Sequence, residues 1–147
     1  MTFTILVLNG PNLGRLGTRE PEVYGSETLA DIQAALAASV PDEVTIDLRQ
    51  SDDEAELITW LHEAVDRRLP VVLNPAAFTH YSYALRDAAA QLRQAGVPLV
   101  EVHLSNPHSR ETFRHTSVIS GVATGVIAGF GADSYRLAVD WVLRSRG

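Results

Sequence analysis

Short apolar runs alternate along the chain with longer segments in which apolar residues recur every three or four positions. The short runs are rich in Val, Ile and Leu and end at turn residues, which is typical of buried strands. The longer segments carry one apolar face, which predicts amphipathic helices. The predicted strands cover residues 3–8, 44–48, 71–73, 97–103 and 122–128, and the predicted helices cover residues 28–39, 54–68, 83–95 and 134–144.

Strands that alternate with helices of this length predict a parallel sheet with helices on both faces. Five strands in this order favour an α/β fold of the flavodoxin-like, doubly wound kind. No linker, internal repeat or low-complexity segment divides the sequence, so we expect one domain over residues 1–147.

Polar side chains follow three of the predicted strands. Asn12 comes after the first, Asn74 after the third, and His103 and Ser105 lie at the end of the fourth. In open α/β sheets, ligands bind beyond the carboxyl ends of the strands, near the point where the strand order reverses. The first and third strands flank that point in the flavodoxin-like order. We therefore expect these four residues to converge on one crevice.

The segment of residues 9–25 is a long polar loop that carries Arg15, Arg19 and Tyr24. Loops of this length in a compact domain are often functional, and arginines above a crevice can clamp a carboxylate. They can also stabilise an ionised tyrosine, which costs about 4 kcal/mol at pH 7. One arginine at ~4 Å supplies about 4 kcal/mol at an effective dielectric constant of 20, so a single arginine is marginal. An exposed turn with solvated arginines is the alternative.

Composition narrows the chemistry. The chain has no cysteine and no lysine, so it cannot use a thiolate or a lysine Schiff base. Its net charge of -6 argues against nucleic-acid binding. No apolar stretch is long enough to span a membrane, and the N-terminus lacks a signal peptide, so we expect a cytoplasmic protein. His80, His103 and His108 lack the spacing of a zinc site, and no metal is predicted.

Several motifs occur together and in order. They include Leu-Asn-Gly-Pro-Asn-Leu at residues 8–13 and Glu-Val-His-Leu-Ser-Asn at residues 101–106, with further matches at 16–21, 24–25, 74–80, 86–88 and 110–114. Over essentially the whole chain, these motifs resemble type II 3-dehydroquinate dehydratase. The chain departs from the family pattern at Gly14, where asparagine is common, and at Ala76, where glycine is common.

The resemblance implies dehydration of 3-dehydroquinate to 3-dehydroshikimate in the shikimate pathway. The reaction of this family is an anti elimination through an enolate, without metal or cofactor. By position, Tyr24 is implied to be the base that removes the C2 proton, and Arg19 to stabilise its phenolate. His103 is implied to be the acid that assists loss of the C1 hydroxyl, and Asn12 to hold the enolate or a bridging water.

The resemblance also implies a substrate-binding set and an assembly. The binding residues on the same chain are Asn74, His80, Leu104, Ser105 and Arg114, and Asp87 reaches the substrate from a neighbouring subunit. The family fold is flavodoxin-like, and its usual assembly is a homododecamer, a tetramer of trimers.

Two other hypotheses remain open on the sequence alone. One is a flavodoxin-like module that binds flavin or phosphate, which predicts a yellow protein or a phosphate-binding loop after the first strand. The other is a non-catalytic assembly protein that has kept the fold, which predicts no product in an assay. For Arg114 by itself, the alternative to ligand binding is a surface salt bridge.

Overall fold

The computed structural model describes residues 2–18 and 20–146. Within these ranges, five strands form one sheet in which every neighbouring pair is parallel. They are β1 (Phe3–Asn9), β2 (Val44–Gln50), β3 (Val71–Asn74), β4 (Leu99–His103) and β5 (Gly125–Ala128). Their order is β2-β1-β3-β4-β5, which is the flavodoxin-like order and confirms the predicted fold class.

Helices cover both faces of this sheet. They are α1 (Pro21–Tyr24), α2 (Leu29–Ala38), α3 (Glu54–Arg67), α4 (Tyr83–Gln94) and α5 (Asp133–Ser145). The apolar sides of α3 and α4 pack in one core, and those of α2 and α5 pack in the other. The helix starts follow from local chemistry, since Thr28, Asp53 and Ser82 each accept a backbone N–H hydrogen bond at an N-terminus. Within the described ranges, no helix is long and apolar enough to cross a membrane.

The last strand begins later than its apolar run predicts. β5 starts at Gly125, whereas residues 122–124 form a turn. Ile119, Val122 and Ala123 are buried in the core that α3 and α4 share, so their apolar character reflects core packing of a turn. An apolar run alone does not distinguish these two cases.

Close contact between the ends of β1 and β3 requires a glycine. The Gly10 amide donates a hydrogen bond to the Asn74 carbonyl at 2.8 Å. A Cβ atom at Gly10 would lie 2.6 Å from the carbonyl oxygen of Pro75, which no side chain tolerates. Glycine at this position therefore brings the loops after β1 and β3 together at the switch point of the sheet.

Candidate active site

A cavity of about 250 Å³ lies at the carboxyl ends of β1, β3 and β4. It brings together eight of the ten residues that the sequence singled out, namely Asn12, Tyr24, Asn74, His80, His103, Leu104, Ser105 and Arg114. Pro11, Leu13 and Phe113 supply apolar wall. The expected convergence of Asn12, Asn74, His103 and Ser105 is therefore what the structure has, at the position that parallel sheets of this order use for ligands.

A buried polar chain fixes the ends of β1 and β3 beneath the cavity. The hydroxyl of Tyr135, which is fully buried, donates to Asn9 Oδ1 at 2.6 Å and accepts from Asn74 Nδ2 at 2.9 Å. Asn74 Oδ1 also accepts from the Ala76 amide at 3.1 Å. Burial raises the pKa of Tyr135, against a smaller lowering by the Asn74 hydrogen bond, so this hydroxyl is neutral and orients both amides.

The loop after β1 is held from the neighbouring strand. Asn12 has a left-handed backbone with φ 71°, a conformation that asparagine tolerates better than most residues. Its amide donates to Asp52 Oδ1 at 2.9 Å, and Gln50 Nε2 donates to the same oxygen at 3.0 Å. Gln50 Nε2 also donates to the Gly10 carbonyl at 3.1 Å. The exposed side chain of Asn12 is thus placed at the cavity by a backbone fixed at both ends of the turn.

Tyr24 reaches the cavity at the end of the short helix α1. Pro21 occupies its first position and Gly25, with φ 87°, follows its last residue. Arg110 Nη2 donates to Tyr24 Oη at 2.8 Å, and the guanidinium carbon lies 5.0 Å from the centre of the Tyr24 ring. Arg110 Nη1 donates to Ser105 Oγ at 3.0 Å. A cation is therefore in direct contact with the hydroxyl proposed as the base.

His103 is paired with a buried carboxylate. Its Nε2 lies 2.5 Å from Glu101 Oε2, and the Glu101 side chain is fully buried. Burial acts to raise the pKa of Glu101, but the hydrogen bond and charge of His103, with the hydroxyls of Ser120 and Thr79, hold it below its usual value. Glu101 is therefore an anion that accepts a hydrogen bond from Nε2, which leaves Nδ1 of His103 for a ligand.

His80 and Arg114 lie on the other side of the cavity. His80 Nδ1 donates to the Thr116 carbonyl at 2.8 Å, and its ring meets Phe113 edge to face at 5.7 Å between centroids. Since Nδ1 is used, Nε2 of His80 is the nitrogen for a ligand. Arg114 Nε donates to Glu111 Oε1 at 2.9 Å, and its guanidinium lies over the Phe113 ring. Arg114 thus belongs to a salt bridge and to the cavity wall at once.

One expected site residue lies apart from this arrangement, and another is not among the described residues. Asp87 lies on α4 outside the cavity, with a side chain that is 72% exposed and accepts from Arg86 at 2.9 Å. Arg19 lies outside the described residues. Within residues 2–18 and 20–146, no group of three or more His, Asp or Glu side chains is placed to hold a metal ion.

Sequence reasoning did not select Arg110 or Glu101 as site residues. Glu101 interrupts the apolar run of β4, and a buried carboxylate without a partner would be costly, so the run itself contains a signal. Arg110 stands in a polar loop, where the sequence offers no local sign that it contacts Tyr24, 86 residues earlier.

Comparisons with known proteins show the family. Residues 3–143 match the family described as dehydroquinase class II. The chain belongs to the class II dehydroquinase family. It is 62% identical to the 3-dehydroquinate dehydratase of Kineococcus radiotolerans over 92% of this chain and 91% of that protein. The relative of the same name from Salinispora tropica is 61% identical over 92% of this chain and 93% of that protein.

A solved structure extends the family likeness to three dimensions. The crystal structure of type II dehydroquinase from Propionibacterium acnes superposes with a TM-score of 0.91 at 49% identity, over 97% of each chain. The resemblance to type II 3-dehydroquinate dehydratase, drawn from motifs, is confirmed as family membership.

Proposed function

We propose that this chain dehydrates 3-dehydroquinate to 3-dehydroshikimate by an acid and a base placed in the one cavity. Family membership supplies the reaction, a step of the shikimate pathway. The observation that carries the residue assignment is the presence of two charge-supported groups in that cavity. Tyr24 is supported by Arg110, and His103 is supported by Glu101.

Tyr24 is the base in this proposal. Its phenolate removes the C2 proton, and the electrons of the broken C–H bond move to the ketone oxygen and form the enolate. Arg110 donates directly to the tyrosine oxygen, so a positive charge lies beside the atom that must take the proton. Arg19 is assigned to the same task by its place in the family motif. Asn12 is assigned to hold the enolate oxygen or a water that bridges to it.

His103 is the acid. When the enolate collapses, the C1 hydroxyl leaves and takes a proton from His103 Nδ1, and water is released. Glu101 accepts from Nε2, so it orients the ring and stabilises the positive charge that the ring carries before it gives up this proton. Asn74, His80, Leu104, Ser105 and Arg114 bind the carboxylate and hydroxyls of the substrate. Arg114 suits the carboxylate, because a guanidinium donates through more than one N–H.

We further propose that the site is completed between subunits. Asp87 is exposed and lies outside the cavity of its own chain, which fits a residue that reaches a neighbour's substrate. The assembly implied by the family resemblance is a homododecamer built as a tetramer of trimers. The remaining assignments are one catalytic domain over residues 1–147, no metal or organic cofactor, and a cytoplasmic location.

Deuterium exchange separates the roles of the two central residues. In heavy water, we expect Tyr24→Phe to lose both exchange at C2 and elimination, since both need the base. His103→Ala should slow elimination more than exchange, because it acts after the proton is removed. Recovered substrate is analysed by mass spectrometry beside product formation. A His103→Ala protein that loses exchange and elimination equally would place His103 earlier than proposed.

Mixed oligomers test the shared site. Tyr24→Phe and Asp87→Ala are expected to be nearly inactive as pure proteins. Co-refolded mixtures should regain part of the activity, because some sites then pair an intact Tyr24 with an intact Asp87 from a neighbour. If verified mixed oligomers show only the sum of the two residual activities, Asp87 does not act between subunits.

A further inference from the structure

The carboxylate of Glu101 is surrounded by hydroxyl donors that the proposed mechanism does not use. Thr79 Oγ1 donates to Oε2 at 2.5 Å, and Ser120 Oγ donates to Oε1 at 2.5 Å. Ser117 Oγ lies 3.1 Å from Oε2 and 3.3 Å from Oε1. The Glu101 side chain is fully buried and Thr79 is 1% exposed, so the carboxylate accepts these hydrogen bonds away from solvent. A carboxylate surrounded in this way accepts hydrogen bonds through both oxygens at once.

The direction of these hydrogen bonds can be assigned from the number of available protons. Glu101 is an acceptor, so the single hydroxyl proton of Thr79 goes to Oε2. Ser117 must then be the donor in its 2.6 Å contact with Thr79 Oγ1. Ser117 Oγ in turn accepts from the amides of Ile119 and Ser120 at 3.1 and 3.0 Å. The hydrogen bonds therefore all point the same way, from the amides of the 117–120 turn through Ser117 and Thr79 to the carboxylate.

This row of hydrogen bonds also orients His103, through the carboxylate of Glu101. Because Glu101 is ionised, Oε2 has no proton to give, so His103 Nε2 must also be a donor to it. The proton on Nε2 fixes the ring so that the second proton of an imidazolium sits on Nδ1, the nitrogen left for a ligand. The residues around this turn are also held to the segment after β3. The Thr116 carbonyl accepts from Nδ1 of His80, the other cavity histidine, and the Val118 amide donates to the Thr79 carbonyl.

We propose that Thr79 and Ser120 are positioning residues for the elimination step, because their hydroxyls keep Glu101 oriented as the acceptor of His103 Nε2. The proposal rests on the proposed role of His103 and deepens it. It assigns function to a threonine one residue before His80 and to a serine in the turn before β5, neither of which touches the cavity. Ser117 belongs to the same row of hydrogen bonds, but its substitution would also break the turn that its hydroxyl holds.

The test compares Thr79→Val with Thr79→Ser. Valine keeps the shape and removes the hydroxyl, whereas serine keeps the hydroxyl. In Thr79→Val, the proton of Ser117 no longer goes to Thr79, so Ser117 becomes a more distant donor to Oε2. We therefore expect elimination to slow about tenfold, the lower end for a lost hydrogen bond to a charged group. Exchange at C2 should change less than elimination, and KM should stay within about twofold. Thr79→Ser should keep elimination within about twofold of the unsubstituted protein.

A second variant and a double variant complete the test. Ser120→Ala should give the same raised ratio of exchange to elimination. If thermal melting shows that Thr79→Val is not folded, Ser120→Ala provides the test in its place. Adding Thr79→Val to His103→Ala should slow elimination no further, because both act through His103. Equal losses of exchange and elimination in Thr79→Val and Ser120→Ala, or no loss in either, would overturn the proposal. If His103→Ala itself leaves elimination intact, the role of His103 fails instead.

Discussion

Arg110 offers a sharp test, because it contacts Tyr24 Oη directly and was not selected from sequence. Arg110→Met keeps an unbranched, largely aliphatic side chain but removes the charge and both hydrogen bonds, to Tyr24 Oη and to Ser105 Oγ. Arg110→Lys keeps the charge, but one ammonium does not reproduce the two-pronged contact. Comparing the two variants therefore separates the effect of the charge from the effect of the hydrogen-bond geometry.

The expected magnitude follows from the distance. Two unit charges about 4 Å apart interact by about 4 kcal/mol at an effective dielectric constant of 20 and about 1 kcal/mol in bulk water. The Arg110 side chain is 16% exposed, so screening is partial and the value lies between these limits. Arg110→Met should therefore lower kcat by between about fivefold and about a thousandfold. The kcat of Arg110→Lys should lie between those of Arg110→Met and the unsubstituted protein.

The assay is steady-state formation of the conjugated product, followed by ultraviolet absorbance, with thermal melting to confirm folding. Arg93→Met is the matched control, because Arg93 is exposed and donates to the Gly121 carbonyl away from the cavity. It should leave kcat unchanged. A folded Arg110→Met protein with kcat within twofold of the unsubstituted protein would refute the argument that this cation stabilises the reacting tyrosine.

Three further expectations concern the scaffold. Tyr135→Phe leaves two buried amides short of a partner, one of them Asn74, and should lower the free energy of unfolding in urea by about 1–3 kcal/mol. Ala76→Gly should raise the melting temperature by roughly 2 °C, because Ala76 has φ 52° and glycine relieves that strain; a lower melting temperature would contradict this. Hydrogen bonding to Arg49 lowers the pKa of Glu63 to about 2, so its contribution to stability is present above the ordinary value of 4.5 and is lost as pH falls towards 2. Glu63→Gln should therefore cost about 1 kcal/mol at pH 7, because the pair is partly screened, and much less near pH 2, where the folded carboxyl is about half protonated; an equal cost at both would contradict the linkage.

Much of the fold could be predicted because local periodicity and tertiary burial agree. The helix expected at residues 54–68 is α3 (Glu54–Arg67), where a capping aspartate precedes a clear apolar stripe. The prediction was wrong where an apolar run serves a turn, as at residues 122–124, since burial does not require a strand. It also treated residues 9–25 as loop alone, and so did not include the short helix that places Tyr24.

Part of the candidate site could be predicted from the sequence, and part could not. Residues at the strand ends could be placed together from topology, because parallel strands bring their carboxyl ends to one edge. The groups that support Tyr24 and His103 could not be predicted, because they depend on contacts between distant segments. Arg110 meets Tyr24 only through the loop that follows β4, and the hydroxyls around Glu101 come from the turns after β3 and before β5. Such contacts leave no periodic trace in the sequence.

The most direct test of the central claim is turnover of 3-dehydroquinate by the purified protein and by Tyr24→Phe, followed by the absorbance of the conjugated product. We expect turnover to survive a chelator and to survive borohydride added with substrate. Tyr24→Phe should lose nearly all turnover, whereas Tyr83→Phe, at an exposed position outside the cavity, should keep it. A Tyr24→Phe protein that keeps more than about a tenth of the turnover, a factor worth only ~1.4 kcal/mol, would contradict the account.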